Sequence, residues 1–365
     1  SPLFNRANEQ SRWTEAYQTM RAEKDSIDAC GYHLYQTGNN VNGSDFAQMF
    51  LQSSTNPEAV FVTLYNNIAG DDLDNQKNNS WERWIRPKNA TGSGLNASAM
   101  LVDIFPMSDG KIPAGTGTYT KLQTSDSTYD ASLPFMNRDP RFYRTFAFPG
   151  FRWAYNGNAS EANSLYPSDG ANYVLWNYCW YTDATGNDDP EATNNYFADG
   201  LLNSGKTGVY VRKKSDDLDV NASPLYTWQA TAANGGFSYS GAQCIEIRYA
   251  EVLLNLAEAA CGAGQMGEAV SLLQQIRARA GYTAANNYGL PTNLTGDQAA
   301  CMSAILYERQ IEFAYEGKRM DDMRRWMLYD GGATQPEGAP ADWTLTGWNG
   351  NTCTWLGVKP LNGQR

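Results

Sequence analysis

The sequence contains almost no histidine, a residue that many enzymes use for acid–base and metal chemistry. It contains one histidine, His33, in 365 residues, which excludes zinc sites built from several histidines and catalysis by a histidine pair. Its six cysteines include no C-x-x-C pair, and their spacing matches no zinc or disulfide pattern. No apolar run approaches the roughly 18–20 residues of a membrane span.

Charge, and positive charge above all, is also scarce. The chain has 28 Lys+Arg against 39 Asp+Glu, and charged residues make up 18% of it, compared with roughly 25% in an ordinary soluble domain. A nucleic-acid-binding protein needs a basic surface to displace counterions from phosphates, so the net charge of -11 argues against that class. In contrast, hydrophobic residues reach 42% and aromatic residues 13%, which is enough to fold around a large core.

The chain divides into four parts by composition and hydrophobic periodicity, with a long loop-rich part between helical ones. In that part, clusters of Gly, Asn, Ser and Pro separate short apolar runs, and irregular stretches of this length usually carry function. Because binding sites usually lie in loops held on a rigid scaffold, we expect the ligand there. The four parts are a helix within residues 1–31, a loop-rich ligand-binding region at 32–242, helical pairs at 243–330 and an irregular tail at 331–365.

Hydrophobic spacing predicts the elements of the first two parts. A helix is predicted from about Ser11 to Cys30, and Gly31 is a natural stop for it. The apolar runs at 59–62 and 100–105 are predicted to be short strands.

Two helical pairs are predicted in the third part. Two apolar stripes form a hairpin of about 34 residues, the size of a tetratricopeptide unit, with stops at Gly262 and Gly281. A capping-box pattern at 295–298 is predicted to start a further helix that runs through Glu316, and a last helix follows at 318–329. The stripes are Ile247, Ala250, Leu253, Leu254, Ala257 and Cys261, followed by Ala269, Leu272, Leu273, Ile276 and Ala280.

Several motifs, in a fixed order, give the sequence a family resemblance. They are P-M-S-D-G-K at 106–111, N-R-D-P-R-F at 137–142, I-R-Y-A-E-V-L-L-N at 247–255, I-R-A-R-A-G at 276–281, E-R-Q-I-E-F at 308–313 and E-G-K-R at 316–319. Together they resemble the SusD/RagB family of outer-membrane nutrient-binding lipoproteins. The order of several motifs is far more specific than any one of them.

The resemblance implies both a fold and a role. The fold would be mainly α, with tetratricopeptide-like helical hairpins in an α-α superhelix that carry a large loop-rich insertion with short β-strands. Residues 1–365 would be the middle and C-terminal portion of a longer protein, held on the extracellular face of the outer membrane by an N-terminal lipid anchor outside this chain. That protein would bind oligosaccharide or polysaccharide without catalysis and deliver it to a SusC-like TonB-dependent transporter. Neither a cofactor nor a metal is implied.

An aromatic segment between residues 151 and 181 is the main candidate binding site. Neutral sugars need flat aromatic platforms for their C–H faces and polar groups for their hydroxyls. In a strand, Trp176 and Trp180 would share one face, with Tyr173 on the other. The competing interpretation is that most of these rings pack a half-buried strand onto the helices. The candidate ligand-binding residues are Trp153, Tyr155, Tyr166, Tyr173, Trp176 and Trp180.

A second, smaller cluster consists of Trp81, Arg83 and Trp84, around Glu82. A tryptophan pair beside a guanidinium and a carboxylate suits an oligosaccharide, but it equally suits a packed loop.

The remaining charged residues are interpreted structurally. The acidic runs at 71–74 and 216–219 lack the glycine and distal glutamate of a calcium-binding EF-hand loop, and we interpret them as solvated loops. The charged residues of the helical motifs are expected to form ion pairs between helices; they are Arg248, Glu251, Arg277, Glu308, Glu312 and Arg324. The thiols of Cys261 and Cys301 are expected to be free and buried.

Two functional alternatives to glycan binding remain open. The first is binding of a peptide or another nutrient in the same kind of complex. The second is a glycoside hydrolase, which needs two carboxylates at a defined separation and would use the same aromatic cleft. The hydrolase is disfavoured because the sequence has no known catalytic segment, including G-x-S-x-G, H-E-x-x-H and the P-loop.

Overall fold

The computed structural model describes most of the helical part of the chain and portions of the loop-rich region. The described residues are 10–38, 43–52, 55–68, 77–85, 95–113, 137–147, 209–215 and 240–326, together with the backbone of residues 152–154, 172–174, 226–229 and 236–239. The predicted tail at 331–365 lies outside them, and the four-part division of the chain stays a prediction.

Within these residues the chain forms nine α-helices, two short 3₁₀ segments and eight strands. The helices are α1 (Gln10–Ala29), α2 (Ser44–Gln48), α3 (Trp81–Ile85), α4 (Ala99–Ile104), α5 (Phe142–Thr145), α6 (Tyr249–Gly262), α7 (Met266–Ala280), α8 (Gln298–Glu312) and α9 (Arg319–Arg325), and the 3₁₀ segments are Met49–Leu51 and Ala284–Gly289. The strands are β1 (Ala59–Thr63), β2 (Phe146–Ala147), β3 (Arg152–Ala154), β4 (Asn172–Val174), β5 (Tyr210–Val211), β6 (Tyr226–Gln229), β7 (Gly236–Ser240) and β8 (Cys244–Arg248).

The core of the described structure is a layer of four helices. Helices α6 and α7 form the predicted hairpin, α8 packs against both, and α1 packs along α6. Each of α6, α7 and α8 buries its apolar stripe against the others, and Trp13 of α1 stacks on Trp326 with ring centroids 6.0 Å apart. The mainly α fold with tetratricopeptide-like hairpins and short strands is thus confirmed. Gly281, with a φ of 106°, ends α7 as predicted.

The strands form four two-stranded antiparallel pairs, namely β1–β8, β2–β5, β3–β4 and β6–β7. The pair β1–β8 leads directly into α6, because β8 ends at Arg248 and α6 begins at Tyr249. Phe61 of β1 pairs with Ile247 of β8, and both side chains are exposed. The expected place of Ile247 in the apolar stripe of the helix is therefore wrong.

The run at 100–105, predicted to be a strand, lies mostly in helix α4, which ends at Ile104. A short apolar run is compatible with a buried helix as well as with a strand, and periodicity cannot separate the two. Here Val102 and Phe105 are fully buried in the main core. Packing against that core therefore decides the conformation.

The second helical pair begins and ends at other residues than predicted. Asp297, not Thr295, caps α8, because its Oδ1 accepts a hydrogen bond from Ala300 N at 2.9 Å. Helix α8 ends at Glu312 instead of Glu316.

Two contacts with other parts of the chain explain why α8 ends early. The Glu312 carbonyl, which a longer helix would pair with the amide of residue 316, accepts from Lys213 Nζ at 2.6 Å and from Arg248 Nη2 at 3.0 Å. The last helix, α9, is correspondingly shorter than the predicted 318–329.

Candidate functional site

The main candidate residues lie mostly outside the described structure. Trp153 on β3 and Tyr173 on β4 are direct partners in the antiparallel register. The backbones of these two candidates therefore lie side by side, as neighbouring positions of one binding surface would. Contact of either residue with a ligand stays a prediction. Outside the described residues lie Tyr155, Tyr166, Trp176 and Trp180, and also the acidic runs at 71–74 and 216–219.

The second candidate cluster is fully described and occupies helix α3. Asn79 fixes the chain just before this helix, since its Oδ1 accepts from Trp81 N at 2.8 Å in an Asx turn. Glu82 and Ile85 point into the protein and are buried, whereas Trp84 keeps 57% of its surface exposed. The helix therefore presents one tryptophan to solvent and fixes it from the opposite face.

The other tryptophan of the cluster is an anchor. Trp81 Nε1 donates to Lys213 O at 2.8 Å, and the Lys214 ammonium lies 5.4 Å from the centroid of its ring. Ser215 Oγ donates to the buried Glu82 Oε1 at 2.6 Å. These contacts tie α3 to the segment at 209–215, and contact of Trp81 with a ligand stays a prediction.

Trp84 is held in place by hydrogen bonds of its ring and of its backbone. Its Nε1 donates to Ser80 Oγ at 3.2 Å, and its backbone oxygen accepts from Leu95 N at 3.1 Å. Leu95 is itself partly exposed, and the side chain of Arg83 is half-buried on the same short helix. An exposed indole held in place, with a guanidinium donor on the same helix, can stack on the C–H face of a sugar and pair with its hydroxyls.

Below this surface lies a set of buried charges that we call the ionic cluster. Within the described residues it joins five cationic and five anionic side chains, so it is balanced in charge. Its members come from six separate stretches of chain. They are Lys213, Arg141, Arg248, Arg277 and Arg279, with Glu58, Asp139, Glu308, Glu312 and Glu316.

Glu312 is the centre of the ionic cluster. Its Oε2 lies 2.7 Å from Arg141 Nη1 and its Oε1 lies 2.7 Å from Arg248 Nη1, and Oε1 also pairs with Arg279 Nη2. Glu58 bridges Arg248 and Arg279 at 2.7 and 2.9 Å. Glu58, just before β1, and Glu312, at the end of α8, thus hold the guanidinium groups of β8 and α7 in a fixed arrangement.

Two further bridges extend the cluster. Glu308 pairs with Arg141 at 2.6 Å and with Arg277 at 2.9 Å. Glu316 pairs with Lys213 at 2.5 Å and with Arg248 at 2.8 Å. Because every cation meets at least one carboxylate, the cost of burying these charges is offset by their partners.

The cluster strongly perturbs the protonation of its members. Burial by itself would raise the pKa of Glu312, but the positive charges of Arg279, Arg248 and Arg141 lower it well below its usual range. Burial would also raise the pKa of Glu316, but the positive charges of Arg248 and Lys213 outweigh burial and lower this pKa to about 2. Burial lowers the pKa of Lys213 to about 7, against the attraction of Glu316.

The expected ion pairs between helices are confirmed for Arg277, Glu308 and Glu312, which join α7 to α8. Arg248 also pairs with Glu312, but it is the last residue of β8 and not part of a helix. Glu251 pairs with Lys318 at 2.9 Å, near the surface. Arg324 is exposed, and its neighbour Arg325 is the residue that pairs with Glu258 and Asp322. Sequence reasoning missed Glu58 and Lys213, which stand in no motif. Asp139 and Arg141 lie in the N-R-D-P-R-F motif, but no role was predicted for them.

None of the helices in the described residues is long and apolar enough to cross a membrane.

Comparison with known proteins shows the family to which this chain belongs. The model of the SusD family matches residues 57–352. The chain therefore belongs to the SusD family. SusD-like protein P2 of Formosa agariphila is 35% identical over 131 residues, which cover 34% of this chain and 26% of that protein.

Solved structures show the same fold. A SusD-like protein of Bacteroides fragilis superposes with a TM-score of 0.52 at 24% identity, covering 86% of this chain and 52% of that one. A SusD-like carbohydrate binding protein of the same organism superposes with a TM-score of 0.51 at 20% identity, covering 87% and 49%. The chain thus spans about half the length of these solved relatives and about a quarter of protein P2.

Proposed function

We propose that the protein binds oligosaccharides or polysaccharides at the cell surface and passes them, chemically unchanged, to a SusC-like TonB-dependent transporter. In the full-length protein, an N-terminal lipid would hold it on the extracellular face of the outer membrane. Membership in the SusD family over residues 57–352 is the observation that carries this proposal.

The described surface supplies a concrete contact for such a ligand. Trp84 is exposed, held by Ser80 and flanked by Arg83, which is the combination expected of a sugar-stacking position. The aromatic candidates Trp153 and Tyr173, on the paired strands β3 and β4, are proposed to provide the larger part of the platform.

Three carboxylates of the helical motifs are not available as the catalytic pair of a hydrolase. A glycoside hydrolase needs two carboxyl groups that reach the scissile bond from opposite sides. Among the described residues, Glu308, Glu312 and Glu316 are buried and each is paired with two or more cations. They cannot reach a substrate.

Titration calorimetry with neutral hexasaccharides of glucose, mannose and galactose tests the proposal. We expect at least one of them to bind, with no reducing ends released during incubation. Binding of peptides but of no glycan would instead favour the peptide alternative, and release of reducing ends would favour the hydrolase. Trp176→Ala and Trp180→Ala test the aromatic segment, and unchanged affinity in both would discard that placement.

A further inference from the structure

A cavity of about 130 Å³ lies away from α3, between the turn at 107–111 and the 3₁₀ segment Ala284–Gly289. Arg277 of α7 and two residues of α8, Ala304 and Tyr307, line it, and Ile112, Leu290 and Pro291 contribute apolar walls. Among the described residues, those of α3, including Trp84, do not line it.

Two glycines hold the walls of this cavity close together. Gly110 has a φ of 87° and Gly289 a φ of 67°, a conformation that side chains rarely adopt. A Cβ atom at Gly110 would lie 2.5 Å from Gly289 Cα, so the two backbones approach more closely than any other residue would allow.

The base of the cavity is fixed by the ionic cluster. The carbonyl oxygens of Gly289, Tyr288 and Gly110 converge on Arg277 Nη1 at 3.0, 3.4 and 3.5 Å. Arg277 Nε in turn donates to Glu308 Oε2 at 2.9 Å. The guanidinium group of Arg277 therefore positions both loops, and Glu308 fixes that group in turn.

The 3₁₀ segment stores backbone strain beside the cavity. Asn287 and Tyr288 are consecutive residues with φ of 51° and 53°, in the left-handed region. Asn287 is held there by its side chain, whose Nδ2 donates to Leu290 O at 2.8 Å, and Tyr288 N donates to Thr283 O at 2.8 Å. Strain that the surroundings hold in place in this way is typical of ligand-binding loops.

The size and lining of the cavity define a ligand class. An engineered protein cavity of about 150 Å³ holds benzene, a bare six-membered ring. A pyranose is larger because it carries hydroxyl groups, so a cavity of about 130 Å³ whose rim residues Lys111 and Asn286 are exposed accepts one edge of a single sugar and leaves the rest outside. The apolar walls match the C–H face of a sugar ring. The remaining lining residues match its hydroxyls, because Asp109 supplies a carboxylate, Lys111 an ammonium group and Asn286 an amide.

We propose that this cavity binds a single neutral pyranose unit, as a second carbohydrate site distinct from the surface at Trp84. The choice of a sugar as the ligand rests on the function proposed above, whereas the site itself rests on the cavity and its strained wall. Asp109 and Lys111, whose charged atoms lie 3.4 Å apart, give the rim both an acceptor and a donor without net charge, which favours a neutral ligand.

Saturation-transfer NMR with the methyl pyranosides of glucose, galactose, mannose and N-acetylglucosamine tests this site. The measurements use a Trp84→Ala protein, so that the surface at α3 does not contribute. Asn286→Ala removes the amide of the rim, and Ala304→Leu fills the cavity with apolar volume. Asn293→Ala, an exposed amide that does not line the cavity, is the matched control.

We expect at least one pyranoside to bind the Trp84→Ala protein. Its affinity should fall at least tenfold with Asn286→Ala or Ala304→Leu and stay unchanged with Asn293→Ala. Because Asn286 is exposed, its variant will fold even if Ala304→Leu does not. The proposed site is refuted if none of the four pyranosides binds, or if Asn286→Ala leaves the affinity unchanged.

The two carbohydrate proposals fail separately. If hexasaccharides bind the wild-type protein and no pyranoside binds, only the cavity is refuted. If a pyranoside binds in the cavity and no hexasaccharide binds, the cavity stands and surface glycan capture is refuted. If neither binds, both proposals fail.

Discussion

Arg141 Nη1 lies 2.7 Å from Glu312 Oε2, although the two residues are 171 positions apart in the chain. This contact joins the N-R-D-P-R-F segment to the end of α8, where Arg248 and Arg279 reach the same carboxylate. The loop-rich region and the helical frame are therefore connected through a charged centre instead of through apolar packing alone. Loss of any one member should destabilise the fold, because a buried charge without its partner is costly.

Replacement of the central carboxylate should strongly destabilise the protein. Glu312→Gln leaves three buried guanidinium groups without their shared partner, and we expect a loss of about 3–5 kcal/mol in the free energy of unfolding. Urea denaturation monitored by circular dichroism measures it. The control is Asp25→Asn, which removes an exposed ion pair with Arg21 and should cost about 0–1 kcal/mol. Equal effects of the two substitutions would contradict the central role of Glu312.

The ionic cluster also predicts how stability depends on pH. The pKa of Glu316 is about 2 in the folded protein, against an ordinary value of 4.5, so between these values the unfolded chain binds more protons. The contribution of Glu316 is thus complete above pH 4.5 and is lost as the pH falls toward 2. The shift at Glu312 acts in the same direction.

Denaturation at pH 7, 5, 4 and 3 tests this dependence. We expect the free energy of unfolding to fall most steeply below pH 4.5, and Glu316→Gln to have a flatter acid slope than the wild type. An acid slope unaffected by that substitution would show that other carboxylates control acid unfolding.

Trp84 should contribute directly to affinity for a glycan. Trp84→Ala removes the exposed ring, and loss of one stacking contact of about 0.5–1.5 kcal/mol corresponds to roughly a two- to tenfold weaker Kd. Trp84→Phe should retain part of the affinity. Met320→Ala removes another exposed apolar side chain, on α9, and should leave binding unchanged. Calorimetry with the best-binding hexasaccharide compares the three variants with the wild type. If Trp84→Ala binds as tightly as the wild type, α3 is not part of the binding surface.

The cysteines provide a test of packing between α6 and α8. Cys261 and Cys301 are free and fully buried, whereas Cys30 is exposed. A hydrogen bond with Cys301 and burial raise the pKa of Cys261, which suppresses the reactive thiolate. Peptide mapping after iodoacetamide treatment should find Cys30 alkylated and the two buried thiols protected until urea is added. Labelling of Cys261 at the rate of Cys30 would indicate that the interface opens in the native state.

The helices were predictable where their causes are local. The stripe of Leu272, Leu273 and Ile276 lies at helical spacing and is followed by Gly281, and the structure places all three side chains in the core. In the run at 100–105 the sequence was ambiguous, because a short run of mostly apolar residues fits a strand and a helix equally well. There the surrounding core, which no local pattern encodes, determines the outcome.

The candidate site was predictable in part for a similar reason. Sequence reasoning identified the pair Trp81 and Trp84, but it could not tell which ring is the anchor, because that depends on Lys213, which is 132 residues from Trp81. Glu58 has no neighbouring signal in the sequence at all. It joins the ionic cluster only because β1 pairs with β8 and brings it to Arg248.

The short pair β2–β5 has a consequence for how ligand preference can be changed. Phe146 pairs with Val211 and Ala147 with Tyr210, and all four residues are buried, so both ends of the interval 148–209 are fastened at neighbouring points of the frame. The entropic cost of closing an interval rises only with the logarithm of its length, by about 0.6 kcal/mol per doubling. Exchange of residues 148–208, which include the aromatic candidates and leave the buried Val209 in place, is therefore expected to keep the helical frame intact. Such an exchange tests whether this interval sets glycan preference.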